Sequence, residues 1–342
     1  MKKYLSIIAG AAMVLAAASC NKLAQSENVA NLPVGEYHKV TLNVGSDDAL
    51  TRASSETTVV TGEAAVNSVQ VWAFDGSTLA AFAKEPSGSS VTMSLRKDKT
   101  YTLYAVANCS DDLSGLTTAA AIQAKTIDLA DESRTGFRMY GSGSLAAGST
   151  SADVTVKRVV ARIRLKSATC TNSALGKMEI SRVFISNVVG NQNLAGTASA
   201  STWYNKMGRN STTQTDYVTT AKAGAAAMTA ADAPTLPYPF YCYPNSSSVT
   251  PAGWSTATYA GQHTMLVIAA TFGSGSTVYY YPIDINKAIG GAIQQNYTYD
   301  VTATITNYGS TDEPNKEIET GSMTISVSAA AWTAGAEVNK TI

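Results

Sequence analysis

The sequence predicts an all-β protein of sandwich type, arranged as two domains with few short helices. Three observations carry that expectation: many short stretches of period-two apolar alternation, Gly, Asn and Asp turn signals between them, and no sustained helical period. At 342 residues the chain is long enough for two cores, and a boundary near residue 167 gives N-terminal (53–167) and C-terminal (168–342) halves of domain size.

The first strand is the most suggestive. In Tyr37 to Ala53, the residues Val40, Leu42 and Val44 alternate with Thr41 and Asn43, and Gly45 to Asp48 is turn chemistry. Arg52 then precedes the small residues Ala53 and Ser54 in a polar stretch that continues as loop to Gly62. Val66 to Phe74 reads as a strand closed by the Asp75-Gly76 turn signal. Val91, Met93 and Leu95 alternate, as do Tyr101, Leu103, Ala105 and Ala107; the Ala-rich stretch Leu113 to Lys125 is a candidate for a short helix.

Val154 to Lys166 changes parity. Val154 and Val156 share one face, whereas Val159, Ala161, Ile163 and Leu165 occupy the opposite parity, which predicts a bulge or a crossing between sheets. Arg158, Arg162, Arg164 and Lys166 form a basic stripe that reads as the solvated face of the strand rather than an anion site. Glu179 to Val188 is a further apolar run. Asn191 to Ala233, poor in large apolar residues, reads as a long surface excursion with a helical turn within Ala221 to Ala231. The prolines in Pro237 to Asn245 confine that aromatic run to a sheet edge or a strand end. Thr264 to Phe272 and Thr277 to Ile283 make a hairpin around Gly273 to Ser276, and Tyr297 to Ile305 and Met323 to Ala329 are clean alternating strands. Trp332 and a tail bearing Val338 and Ile342 close the chain.

Export is written at the other end. Lys2 and Lys3, an apolar run from Leu5 to Leu15 and the small residues Ala16 to Ser19 form a secretory signal, too short for a spanning helix. The ending Ala17-Ala18-Ser19-Cys20 resembles the bacterial lipobox, with Ala17 at the usual leucine position; it implies a signal peptide of residues 1–19 and a lipid on Cys20. Acyl chains bring roughly 0.8 kcal/mol per buried methylene, so several anchor stably.

Equal numbers of basic and acidic residues, 25 each, disfavour nucleic-acid or polybasic membrane-surface binding. The remaining cysteines, Cys109, Cys170 and Cys242, lie far apart without metal-ligand spacing, and Cys109 and Cys242 read as buried free thiols. His38 and His263 have no carboxylate partner at relay spacing, and Gly141-Ser142-Gly143 opens no phosphate-binding helix. Asp47-Asp48, Asp111-Asp112 and Asp131-Glu132 read as loop carboxylates. No catalytic constellation, cofactor or metal site is expected. The aromatics of Tyr238 to Tyr243 could stack on sugars, or pack in the core or at an edge.

In their order along the chain, the lipobox cysteine, the short alternating strand, the Arg52-Ala53 junction, the stretch Val156 to Leu165, the run Phe240 to Asn245 and the closing Ala331-Trp332 resemble the fimbrillins, the type V pilins of Bacteroidales-type bacteria. The resemblance implies two β-sandwich domains of transthyretin-like, Greek-key type. It also implies export as an outer-membrane lipoprotein precursor by the lipoprotein machinery, and a lipidated propeptide (20–52) removed by an arginine-specific protease between Arg52 and Ala53. Assembly into an adhesive extracellular fimbria, with other copies or related subunits, would follow by strand exchange. Val40, Leu42 and Val44 would leave, and a donor strand at 335–342, carrying Val338 and Ile342, would replace them in a neighbour. A fimbrial tip adhesin and a surface glycan-binding lipoprotein are the alternatives, with host or bacterial surface ligands as partners. Deleting the strand would leave unpaired backbone groups and an open apolar groove, which invites strand addition.

Overall fold

The structure is a computed structural model that describes residues 36–47, 62–205, 228–247, 263–311, 323–332 and 338–341, the last segment in backbone only. Cys20, Arg52, Ala53 and Ile342, the signal segment and most of Ala221 to Ala231 therefore lie outside the described residues.

Val40, Leu42 and Val44 behave as their spacing predicts: all three point into a core from strand β1 (Tyr37–Ser46), at 0%, 0% and 3% exposure. The strand runs two residues past Val44, so Gly45 and Ser46 continue the ladder instead of turning. There follow β2 (Val69–Asp75), β3 (Thr78–Glu85), β4 (Ser90–Arg96), β5 (Tyr101–Ala107), the helix α1 (Ala119–Ala124), β6 (Thr126–Asp128), β7 (Met139–Leu145) and β8 (Ser151–Arg158). Thr118 caps α1 by accepting from the Ala121 backbone N–H. Seven of these strands form one sheet in the order β3-β2-β5-β7-β8-β1-β4. Strand β3 also lies against β4, so the sheet folds over on a core to which all seven strands contribute.

The parity change near residue 158 is a crossing between sheets. Val154 and Val156 face the first core, the chain bends at Val159 and Val160, and β9 (Ala161–Cys170) enters a different sheet around a second core. Then come β10 (Met178–Ser186), β11 (Val188–Val189), β12 (Asn191–Asn193), β13 (Trp203–Tyr204), β14 (Ala230–Asp232), β15 (Tyr238–Cys242), β16 (Met265–Phe272) and β17 (Tyr279–Asp284). Helix α2 (Ile285–Ile289), β18 (Tyr297–Ile305), β19 (Met323–Ala331) and β20 (Val338–Thr341) complete the described elements. A five-stranded sheet, β15-β9-β18-β19-β20, and a four-stranded sheet, β14-β10-β16-β17, share that second core. Trp72, Phe74 and Phe137 from the N-terminal half also join it, which is why β2 is buried on both faces.

Two sequence expectations are corrected. Arg158, Arg162 and Arg164 are not a solvated stripe: they are 1%, 1% and 5% exposed, and only Lys166 reaches water. Residues elsewhere in the chain cover that face, and their carboxylates and carbonyls pair the guanidinium groups. The excursion after Asn191 is not wholly superficial, because Gln192, Leu194, Tyr204 and Met228 are buried. The aromatic run forms edge strand β15, as its prolines require, and Phe240, Tyr241 and Tyr243 are fully buried, in line with core packing rather than sugar stacking. The hairpin expected around Gly273 is present as the antiparallel pair β16/β17.

Candidate functional site

Strand β1 sits one position in from a sheet edge, in a slot between two strands that do not pair with each other. On one side it runs antiparallel to β4, with Val40 opposite Met93 and Leu42 opposite Val91. On the other it runs parallel to β8, with Leu42 opposite Ala152 and Val44 opposite Val154. Backbone bonds to the residues just before β4 and β8 extend both ladders, Val44 N–H to Ser89 O at 2.7 Å and Thr41 N–H to Thr150 O at 3.0 Å. Removing β1 would unzip two ladders at once and strip the slot of three buried side chains. Those side chains alone are worth roughly 1.5–3 kcal/mol each.

Polar contacts set the register. Asn43 Nδ2 donates to Asp153 Oδ1 at 3.0 Å on the β8 side, while Ser90 Oγ donates to Asn43 Oδ1 at 3.2 Å on the β4 side. His38 Nε2 bonds the Ser149 carbonyl at 2.8 Å. Past the end of the strand, Asp47 Oδ2 accepts from Asn296 Nδ2 at 3.4 Å. Asn296 is a buried hub: its Oδ1 accepts from Arg158 Nη1 at 3.1 Å, and its carbonyl from the Trp332 N–H at 2.7 Å.

The buried arginines belong to this neighbourhood. Glu63, fully buried, pairs with Arg162 Nη1 at 2.8 Å, accepts a short hydrogen bond from the Tyr241 hydroxyl, and offers its backbone carbonyl to Arg158 Nε at 2.8 Å. Both guanidinium groups stack on Trp332, at 4.3 and 4.8 Å from the ring centre. Burial, reinforced by the Glu63 carboxylate, holds the Tyr241 hydroxyl far above its ordinary pKa, so it stays protonated and donates to Glu63. The clamp therefore ties the chain just after the Arg52 region to Trp332, the last side chain described before the C-terminal strand. The sequence reading passed over Glu63; its signal was a lone carboxylate between Gly62 and the apolar Ala64-Ala65-Val66.

The C-terminal strand β20 pairs antiparallel with β19, Val338 opposite Ala329, as an edge strand of the five-stranded sheet. It lies in a different sheet from β1, so β1 and the expected donor segment are not brought together within one chain.

The other candidates resolve into structural roles. His263 does have a carboxylate partner, contrary to expectation: Nδ1 lies 2.8 Å from Asp284 Oδ2, because the β16/β17 hairpin folds residue 284 back beside it. Asp284 Oδ1 also caps α2 by accepting from the Lys287 N–H at 2.9 Å. Asp111 and Asp112 pair with Lys125 and Lys84, and buried Glu132 accepts from Tyr243 and the Arg138 backbone. Burial raises the Glu132 pKa. Gly141 lies in β7, where a Cβ would stand 2.0 Å from the Thr155 carbonyl of β8, so it serves close backbone approach. Cys109 and Cys242 are buried and free, and burial pushes the Cys242 thiol up to about 12. Among the described residues no group of His, Cys, Asp or Glu has the geometry to hold a metal ion.

Residues 38–151, about a third of the chain, match the family model of the major fimbrial subunit protein FimA; the match begins inside β1 and runs to the start of β8. Among solved structures, a fimbrilin (FimA) from Porphyromonas gingivalis W83 aligns with a TM-score of 0.63 at 12% identity, over 87% of this chain and 98% of that one. A protein provisionally described as a cell adhesion protein, from Bacteroides eggerthii, aligns with a TM-score of 0.62 at 21% identity, over 88% and 98%. The tip fimbrial protein Mfa3 of Porphyromonas gingivalis, with a C-terminal truncation, gives 0.54 at 13%, over 87% and 100%. No curated sequence relative matches. The fimbrillin resemblance thus stands by sequence over β1 to β8 and by fold over most of the chain.

Proposed function

We propose that this chain is the precursor of a structural subunit of a cell-surface fimbria, and that β1 is a temporary plug. Lipidation at Cys20 tethers the exported precursor to the outer membrane. Cleavage between Arg52 and Ala53 by an arginine-specific protease detaches β1 from the rest of the chain, and its slot then takes a strand from a neighbouring subunit. The 335–342 segment of a second copy or a related subunit, with Val338 and Ile342 as its apolar residues, is the candidate donor. The observation that carries the reading is the position of β1: inside a sheet, fully buried on its apolar face, yet joined to the rest of the chain only through the stretch that holds Arg52. Refilling the slot restores two ladders at about 0.5–1.5 kcal/mol net per hydrogen bond, less the cost of ordering the donor.

Arg52→Ala tests this directly. It should accumulate lipidated monomers that do not polymerise; normal fibres from that variant refute the mechanism. Cys20→Ala should abolish palmitate labelling. The sparse apolar content of the tail favours a second placement, at the fimbrial tip, where a subunit accepts a strand but donates none. Immunogold labelling confined to fibre ends would select the tip, and labelling along the shaft would exclude it.

A further inference from the structure

The chain divides its cations by type. Apart from Arg52 and Arg209, which lie outside the described residues, no arginine is exposed. Arg138, Arg158, Arg162 and Arg164 are buried, and Arg96, Arg134 and Arg182 are half-buried. Each is held by name. Arg164 forks onto Asp300 at 2.6 and 2.7 Å, Arg162 pairs with Glu63, and Arg158 bonds Asn296. Arg138 Nη1 donates to the Asp128 carbonyl at 3.2 Å beside Glu132, and Arg96 forks onto Asp98 at 2.7 and 3.0 Å. Arg134 donates to the Tyr238 hydroxyl at 3.1 Å, and Arg182 stacks on Phe184 at 4.6 Å.

Lysine shows the opposite distribution. Among the described side chains outside β1, Lys84, Lys97, Lys157, Lys166, Lys177 and Lys287 are exposed, and only Lys99 and Lys125 are half-buried. Buried forks and ring stacking require a guanidinium, which accounts for where the arginines are. That requirement does not account for their absence from the exposed positions among the described residues, where arginine is ordinarily at home and carries the same charge as lysine.

We infer that the fold sets the specificity of its own processing: arginine is withheld from exposed positions so that an arginine-specific protease finds Arg52 without dismantling the subunit. This rests on the processing reading above and extends it to the whole surface. A protease of this type must engulf the complete guanidinium side chain and draw the flanking backbone into an extended cleft. Arg96, Arg158, Arg162, Arg164 and Arg182 are strand-bound, and Arg134 and Arg138, outside the strands, have their side chains held by Tyr238 and by the Asp128 carbonyl beside Glu132, so each meets both conditions only after local opening and its cleavage is limited by the population of the open form. An exposed lysine satisfies the first condition but not the specificity.

The test uses the purified full chain under native conditions, split between an arginine-specific and a lysine-specific endoprotease, with fragments mapped by mass spectrometry. The arginine enzyme should leave the bonds after the seven shielded arginines intact while the lysine enzyme nicks the same body, at least tenfold faster than any shielded arginine is cut. Lys97→Arg, in the β4/β5 turn, and Lys177→Arg, before β10, keep charge and fold. Each should create a new arginine-enzyme cut after the substituted residue, again at least tenfold faster than at the shielded sites. Cutting at the shielded arginines at rates matching Arg52, resistance of the body to both enzymes, or no new cut in either variant would each overturn the inference. Retention of residues 1–52 would instead count against the processing reading alone, because the two variants judge the shielding independently of Arg52.

Discussion

Leu42→Ala separates a plug from an ordinary core strand. Leu42 is fully buried, opposite Val91 of β4 and Ala152 of β8, at the centre of the β1 slot. Truncating a buried leucine costs about 2–5 kcal/mol, from lost transfer free energy plus the cavity left behind. Against a typical total of about 5–15 kcal/mol, a loss of that size should be plain in urea unfolding of the precursor. If β1 is discarded on maturation, the same substitution should leave cleaved, assembled subunits as resistant as wild type. Leu103→Ala supplies the control: Leu103 is equally buried, but in β5, which stays. It should weaken precursor and fibre alike. The reasoning fails if Leu42→Ala weakens fibres as much as Leu103→Ala does, or if the precursor loses less than about 1 kcal/mol.

Two further outcomes follow from the cores and the surface. Glu63→Gln leaves Arg162 buried without its counter-charge, and should destabilise the folded chain by about 3–5 kcal/mol in denaturant unfolding; a change below about 1 kcal/mol would mean the clamp is dispensable. Asp112, hydrogen-bonded first by Lys84 and then by the Ser114 backbone, has its carboxyl pKa lowered from 3.8 to about 2. A depressed carboxyl contributes stability that is present above 3.8 and lost as pH falls toward 2. At this exposed site the effect on stability is small, so the readout is the carboxyl NMR titration: Lys84→Met should move the midpoint up toward 3.8, and an unmoved midpoint would refute the assignment.

What the sequence disclosed was local. Period-two alternation located β1, β4, β18 and β19, because a strand with one buried face writes its orientation every second residue. The parity change at Arg158 located the crossing between sheets for the same reason. What it withheld was pairing over distance. The carboxylates that bury the arginine stripe, Glu63 and Asp300, stand 99 and 136 residues from their partners, so the stripe looked like any solvated face. His263 and Asp284 meet only once a hairpin closes between them, and their spacing along the chain matches no relay pattern. The aromatics of β15 are ambiguous by composition, and their burial depends on Phe137, Glu63 and Trp332 arriving from remote segments. That β1 was a strand was legible. That it runs parallel to β8 inside the sheet was not, since the two are more than 100 residues apart and local alternation is silent about neighbours.

The central claim is that the slot is emptied and then refilled. Hydrogen exchange on assembled fibres, with the residues each subunit retains mapped by mass spectrometry, tests it most directly, read at the amides of β4 (Ser90–Arg96) and β8 (Ser151–Arg158) that face β1. In the precursor those amides are protected by β1. The account predicts that residues 20–52 are missing from the fibres and that the same amides remain protected, by a strand from a neighbour. Fibres that retain residues 20–52 in equal proportion to the rest of the chain, or that lack them while these amides exchange freely, would contradict it.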